Sequence, residues 1–74
     1  MNDRLQNIMS NLFEVSINDI NEDISIENCS EWDSLRHMHL IHAIEDEFEI
    51  SLTDDDVIKI RDFKSIIGII ESHI

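Results

Sequence analysis

The stretch that decides the fold of this chain covers residues 31–48 and reads EWDSLRHMHLIHAIEDEF. From Ser34 onward, its apolar residues recur at the spacing of an amphipathic helix. If Ile44 is placed at the centre of the buried stripe, at about 100° per residue, three further apolar residues share its face: Leu40, Ile41 and Phe48. The pattern therefore predicts a helix from Ser34 to Phe48 that begins with a serine.

Asp33 and Ser34 stand where this helix begins. The first turn of a helix has free backbone N–H groups and the positive end of the helix dipole, and both favour a phosphate there. A serine hydroxyl beside an acid is therefore suited to carry a phosphodiester. It is poorly suited to hydrolysis, because no nearby base has a clear orienting partner. The alternative interpretation is that Ser34 only initiates the helix.

Three further helices are predicted from periodicity and capping residues. The first, with Asn2 or Asp3 as its cap, has an apolar stripe made of Leu5, Ile8, Met9, Leu12 and Phe13. A short third helix over Asp54 to Ile60 follows the cap Thr53. The last helix follows the cap Asp62 and has a stripe made of Ile66, Ile67, Ile70 and Ile74.

Residues 15–31 alternate turn-forming Asn, Asp and Ser with isolated isoleucines. This composition favours an ordered loop over a strand, with four isoleucines that reach the core: Ile17, Ile20, Ile24 and Ile26. The predicted fold is therefore an all-α bundle of three main helices plus a short third helix, with a long first loop. We expect one monomeric domain over residues 1–74.

Charge and cysteine content restrict the partners and the compartment. A net charge of -12, from 17 acids against 5 bases, argues against nucleic acid and anionic membranes and favours basic protein surfaces, although solubility alone is an alternative reason for it. Cys29 is the single cysteine, so no internal disulfide is expected. The first residues lack the pattern of a signal peptide, which predicts a cytoplasmic protein.

One face of the helix over residues 34–48 is predicted to remain in solvent and to include Leu35, Met38, His39, His42 and Asp46. Two large apolar side chains next to Ser34 suggest a docking surface, the alternative being chance exposure. His39 and His42 could share a metal ion, but no third ligand is fixed beside them, so no metal site is predicted. His37 falls on the core side, where we expect it to cover Trp32 or to bond a carbonyl of the loop.

These features resemble the acyl carrier protein family. The resemblance rests on Asp33-Ser34-Leu35 at the head of the second of four helices in an acidic chain of 74 residues. It extends over nearly the whole chain, and includes Leu12-Phe13, the acids of residues 45–47 and the closing isoleucine-rich helix.

What the resemblance implies is a carrier without a catalytic site, whose Ser34 is esterified by 4′-phosphopantetheine. A phosphopantetheinyl transferase attaches this arm, and Asp33 helps to hold the magnesium that the transferase uses. The terminal thiol then carries acyl groups as thioesters to partner enzymes, and the flexible arm raises their local concentration there. The implied docking residues are Leu35, Arg36, Met38, His39, His42, Glu45 and Asp46.

The chain departs from the family pattern near the serine. Glu31 stands where the family commonly has glycine, and Arg36 and His39 stand where primary fatty-acid carriers have acids. An exposed Arg36 would weaken docking to basic partner surfaces. These departures favour a specialised carrier over one of general fatty acid biosynthesis. Residues 32–35 also resemble stand-alone carriers of secondary or surface-glycan biosynthesis, and this resemblance implies a specialised lipid, polyketide or surface-glycan pathway.

Two alternatives stay open. An aminoacyl carrier, either peptidyl or D-alanyl, would share the fold, because partner enzymes select the cargo. An acidic interaction protein without covalent modification, such as a calcium sensor or a nucleic-acid mimic, is the alternative of another class. The segment from Asp19 to Asp23 begins like an EF-hand, but Ile24 and Ser30 stand where that loop needs glycine and glutamate.

Overall fold

The computed structural model of the chain describes residues 2–74, which form four α-helices. These are α1 (Asn2–Phe13), α2 (Ser34–Phe48), α3 (Asp54–Lys59) and α4 (Phe63–His73), with one 3₁₀ turn (Ile17–Asp19) in the long first loop. Within the described residues, the extended pairing is limited to an isolated antiparallel bridge between Ser25 and Asp62. The predicted all-α bundle, with a short third helix and a long first loop, is confirmed.

The core is built from one apolar stripe on each of the three longer helices. Its helical members are all buried: Leu5, Met9 and Phe13 on α1, Leu40, Ile41 and Ile44 on α2, and Phe63, Ile66 and Ile70 on α4. Each large apolar side chain contributes about 1.5–3 kcal/mol when it is fully buried. The predicted core face of α2 is confirmed, with Phe48 partly buried against the core. Ile74 was expected on the stripe of α4, but it follows the end of the helix and is exposed.

The long loop contributes isoleucines to the core, as predicted, with one exception. Ile20 and Ile24 are buried and Ile26 packs against the core, whereas Ile17 lies in the 3₁₀ turn with 40% of its surface exposed. The prediction for Ile17 was therefore wrong. The loop is tied to the start of α4 by two backbone hydrogen bonds, from Phe63 N to Ile24 O at 3.1 Å and from Ile26 N to Arg61 O at 2.8 Å.

Capping residues set most helix boundaries at the predicted positions. Thr53 caps α3 and Asp62 caps α4, and each accepts a hydrogen bond from a backbone N–H of the first turn. α3 ends at Lys59, one residue before the predicted end. Asn2 and Asp3 both lie inside α1, so neither is the cap that the sequence predicted, and the preceding position lies outside the described residues.

The start of α1 is held against the end of α2 by Arg4. Its Nε donates a hydrogen bond to Glu47 Oε2 at 2.7 Å, and its guanidinium lies over the Phe48 ring, 4.6 Å from the centroid. This contact holds the end of α2 against the start of α1, whereas Trp32, just before the serine end of α2, packs on Phe13 at the other end of α1. Among residues 2–74, no helix has the length and apolar composition needed to cross a membrane.

Candidate functional site

Ser34 lies exposed at the first position of α2, directly after the residue that caps the helix. Asp33 is the cap: its Oδ1 accepts a hydrogen bond from Arg36 N at 2.8 Å, and its carbonyl accepts one from His37 N at 2.8 Å. The carboxylate therefore satisfies one of the N–H groups that the first turn leaves free. The sequence predicted this placement of a serine at a helix N-terminus, and the structure has it.

The loop that leads to the serine is anchored by Trp32. This side chain is buried and packs on Phe13 at the end of α1, with the ring centroids 5.4 Å apart. Aromatic pairs in this range add about 0.5–1.5 kcal/mol beyond their buried area. The residue two positions before Ser34 is therefore fixed in the core while Ser34 itself lies in solvent.

His37 connects the loop to α3 and is fully engaged. Its Nδ1 accepts a hydrogen bond from Trp32 Nε1 at 3.0 Å, and its Nε2 lies 3.2 Å from Val57 O. Because the indole N–H can only donate, Nδ1 must be the unprotonated nitrogen, and Nε2 then carries the proton and donates it to Val57. Neither nitrogen is left to activate a serine or to bind a metal ion. The predicted contact with Trp32 is present, whereas the carbonyl that His37 reaches belongs to α3 and not to the loop, where the sequence predicted it.

Arg36 is held by contacts within the chain. Its Nη1 lies 3.2 Å from Glu31 O and 3.3 Å from Asp33 Oδ2, and its Nη2 lies 3.9 Å from Glu14 Oε2. One third of the side chain is exposed. The sequence predicts an exposed positive charge at Arg36 facing a partner, whereas two carboxylates of the chain lie beside it.

The residues that the sequence predicts on the solvent face of α2 are exposed. Leu35 is 66% exposed and Met38 45% exposed, and His39, His42 and Asp46 are exposed as well. Glu45 differs from the other proposed docking residues. It is partly buried, and its Oε2 accepts a hydrogen bond from Leu52 N at 2.9 Å in the connection to α3. One of its carboxylate oxygens therefore holds the chain itself.

The thiol of Cys29 lies five residues before Ser34 and is protected. Its side chain is buried, and its Sγ lies 3.6 Å from Glu31 Oε1. Burial, together with the adjacent carboxylate, raises the pKa of this thiol above its ordinary value. A raised pKa lowers the fraction of thiolate, which is the reactive form. Cys29 is therefore a weak nucleophile at neutral pH.

The acidic side chains of the first loop do not converge on a cation site. Among residues 2–74, no group of three or more His, Cys, Asp or Glu side chains is arranged to hold a metal ion. The loop is instead organised by its own amides: Asn21 Oδ1 accepts from Asp23 N at 2.8 Å, and Asn28 Oδ1 accepts from Ser25 N at 2.9 Å. The segment that begins like an EF-hand forms ordinary turns here.

Several contacts at this site were not predicted from the sequence. The spacing of Asp33 and Arg36, three residues apart on one helix end, is a known signal for an ion pair, and it could have indicated that contact. No local signal indicates the approach of Glu14 to Arg36 or the hydrogen bond from Leu52 to Glu45.

The chain matches a protein-family model. The model of the family described as the phosphopantetheine attachment site matches residues 3–70. This range includes all of α2 and α3, and among the helices it leaves out only the start of α1 and the end of α4. No match was found among curated proteins.

Proposed function

The chain belongs to the phosphopantetheine attachment site family, and from that membership we infer that it is an acyl carrier whose Ser34 bears the arm. Domains of this family carry a 4′-phosphopantetheine prosthetic group and serve as carriers. The observation that carries the proposal is the position of Ser34, exposed at the first residue of α2 beside the cap Asp33.

Other serines of the chain are less suited to bear the arm. The hydroxyl groups of Ser10, Ser65 and Ser72 donate hydrogen bonds to backbone carbonyls. Ser25, Ser30 and Ser51 lie in loops or turns, away from the first turn of an α-helix. A phosphodiester on Ser34 lies next to the positive end of the α2 dipole, which stabilises its negative charge.

In arm attachment, the phosphopantetheine group passes from an oxygen of coenzyme A to the hydroxyl oxygen of Ser34. The Ser34 oxygen forms a bond to the coenzyme A phosphorus that bears the pantetheine group, and the bond from this phosphorus to the bridging oxygen of the nucleotide part breaks. The nucleotide leaves with the bonding electron pair, and the proton of the hydroxyl is released to the surrounding water. We assign this step to a phosphopantetheinyl transferase with its magnesium, and Asp33 to the support of that metal. The helix end supplies the exposed hydroxyl and a favourable potential for the product.

The arm thiol then takes an acyl group as a thioester and passes it to partner enzymes. Cys29 is the one cysteine of the chain, and its thiol is buried with a raised pKa. It is therefore a poor competitor for the cargo, and the arm thiol is the effective nucleophile of the modified protein. We propose an acyl cargo, and loading assays with acyl and aminoacyl donors distinguish it from the peptidyl and D-alanyl alternatives.

The surface of α2 supports a specialised pathway in lipid, polyketide or surface-glycan biosynthesis. From Ser34 to Ile44 α2 has no acidic residue, although the whole chain has 17. Leu35 and Met38 give this surface an apolar centre, with His39 and His42 beside them. Enzymes with basic docking surfaces gain little attraction here, so we propose dedicated loading and transferring enzymes as the partners. We further propose that the protein acts as a monomer in the cytoplasm, with residues 1–74 as one carrier domain.

The central experiment is intact mass after incubation with coenzyme A, magnesium and a phosphopantetheinyl transferase. The wild type should gain one arm, and Ser34→Ala should gain none. Ser25→Ala, Ser30→Ala and Ser51→Ala serve as controls and should each gain one arm. Modification of Ser34→Ala would show that another serine is the acceptor. An unmodified wild type would favour the acidic interaction protein.

The effect of the α2 surface charge on partner choice can be measured with an acyl-loading enzyme of general fatty-acid synthesis. The modified wild type should be loaded slowly, and a variant with His39→Glu and His42→Glu should be loaded faster, with a stronger dependence on salt. Both histidines are exposed, so this pair changes the surface charge without removing the contacts of Arg36. Equal rates at two ionic strengths would show that the missing acids do not select the partner.

A further inference from the structure

Three consecutive residues of the loop before Ser34 are each bonded to Arg36 or His37, the third and fourth residues of α2. Arg36 Nη1 holds the carbonyl of Glu31 and the carboxylate of Asp33, and His37 Nδ1 holds the indole of Trp32. These bonds tie the attachment turn, which we define as residues 31–34, to the first turn of α2.

We propose that Arg36 is a positioning residue for arm attachment, which fixes the attachment turn so that Asp33 and Ser34 meet the transferase in one geometry. This inference rests on the proposed function of Ser34 and concerns a residue that makes no covalent step itself. A single guanidinium bridges the backbone before Trp32 and the side chain after it, so both flanks of the turn are fixed by one rigid group.

The contact between the Arg36 guanidinium and the carbonyl of Glu31 satisfies a backbone group that has no partner from a regular helix or strand. Glu31 is not an end of a helix or a strand, and its carbonyl lies in a turn where the backbone needs a partner. Arg36 supplies that partner at 3.2 Å, from a side chain of which two thirds is covered. The planar guanidinium can donate in several directions at once, which a lysine ammonium on a flexible stem does not reproduce.

The charges around Arg36 indicate that it acts on the turn and not on the partner. Asp33 Oδ2 lies 3.3 Å from Nη1, and Glu14 Oε2, just after α1, lies 3.9 Å from Nη2. With two carboxylates beside it, part of its positive charge is compensated within the chain, although solvent screens both exposed acids. The consequence is that removal of Arg36 should change the rate of the bound complex more than the affinity for the transferase.

The test compares steady-state arm attachment for the wild type and three variants: Arg36→Gln, Arg36→Lys and Arg61→Gln. Arg61 is the matched control, since it is an exposed arginine paired with one acid, Glu27, at 3.2 Å, and its loss changes the net charge equally. We expect kcat to fall about tenfold in Arg36→Gln, which corresponds to about 1.4 kcal/mol, with KM changed less than twofold. Arg36→Lys should show most of this loss, and Arg61→Gln should match the wild type. All rates are measured well below the melting temperature of each variant, so that global unfolding does not contribute.

The outcomes distinguish a failure of the positioning role of Arg36 from a failure of the proposed function of Ser34. An unchanged kcat in Arg36→Gln, with a modified wild type, overturns the positioning role and leaves the proposed function intact. A loss that is confined to KM, disappears at high salt and is restored by Arg36→Lys also overturns it, because it would show a charge contact with the transferase. A wild type that is never modified overturns the proposed function, and this inference with it.

Discussion

Asp33 combines two roles that a pair of substitutions can separate. As the cap of α2, its Oδ1 accepts the N–H of Arg36 at 2.8 Å, and as an acid its Oδ2 lies 3.3 Å from the Arg36 guanidinium. Asparagine keeps the capping oxygen and removes the charge, whereas alanine removes both. The difference between Asp33→Asn and Asp33→Ala therefore isolates the cap.

The magnitudes follow from these contacts. Loss of the charge costs Asp33→Asn the ion pair and the dipole interaction, together about 0.5–1 kcal/mol, because the side chain is half exposed and solvent screens both. Loss of a capping side chain costs Asp33→Ala a further amount of about 1 kcal/mol. For a chain of this size, about 1 kcal/mol lowers the melting temperature by about 4–8 °C. Asp33→Ala should therefore melt about 4–8 °C below Asp33→Asn.

The assay has two readouts: thermal unfolding followed by circular dichroism, and the rate of arm attachment followed by intact mass. If the carboxylate supports the magnesium of the transferase, both variants should be modified much more slowly than the wild type, despite their different stabilities. Equal melting temperatures would refute the capping role. A normal rate for Asp33→Asn with a slow rate for Asp33→Ala would show that Asp33 acts only through the helix end.

Three further predictions concern the scaffold. Gly68→Ala should stabilise the protein by about 1 kcal/mol and raise its melting temperature, because the added Cβ meets no atom within 4 Å and alanine favours a helix more strongly; a lower melting temperature would contradict this. His37→Ala should destabilise the protein by about 1–3 kcal/mol, because it leaves the buried indole N–H of Trp32 without its acceptor. The fluorescence of Trp32, the single tryptophan, should report the change, and an unaltered emission and urea midpoint would show that this bond contributes nothing. The pKa of Asp56 is lowered mainly by the hydrogen bond from His73 at 2.8 Å. The hydrogen bond from the backbone N–H of Thr53 is the second cause. A lowered folded-state pKa gives stability that is present above the unfolded pKa and is lost as the pH falls through the folded value. Stability should therefore decline below about pH 4, and more steeply in the wild type than in His73→Gln; identical acid profiles would exclude this pair as a source of stability.

The sequence by itself determined the helices and the place of the candidate site. The patterns that identified them each lie within about two helical turns: the apolar stripe centred on Ile44, the caps Thr53 and Asp62, and the serine after Asp33. Such patterns depend on backbone periodicity and on hydrogen bonds between near neighbours, which hold in any fold that contains the helix. The same reasoning placed Leu35 and Met38 in solvent, because they lie opposite the buried face.

Only the tertiary structure decided which side chains of the site are free. The sequence predicts Arg36 and Glu45 as surface charges for a partner. In the structure, Arg36 holds the turn before Ser34 and Glu45 holds the connection to α3. His37 reaches a carbonyl 20 residues away, and Ile17 leaves the core although its pattern matches that of Ile20. These contacts depend on how the first loop, α3 and the connection between α2 and α3 lie against α2, and that arrangement follows from the packing of the whole core.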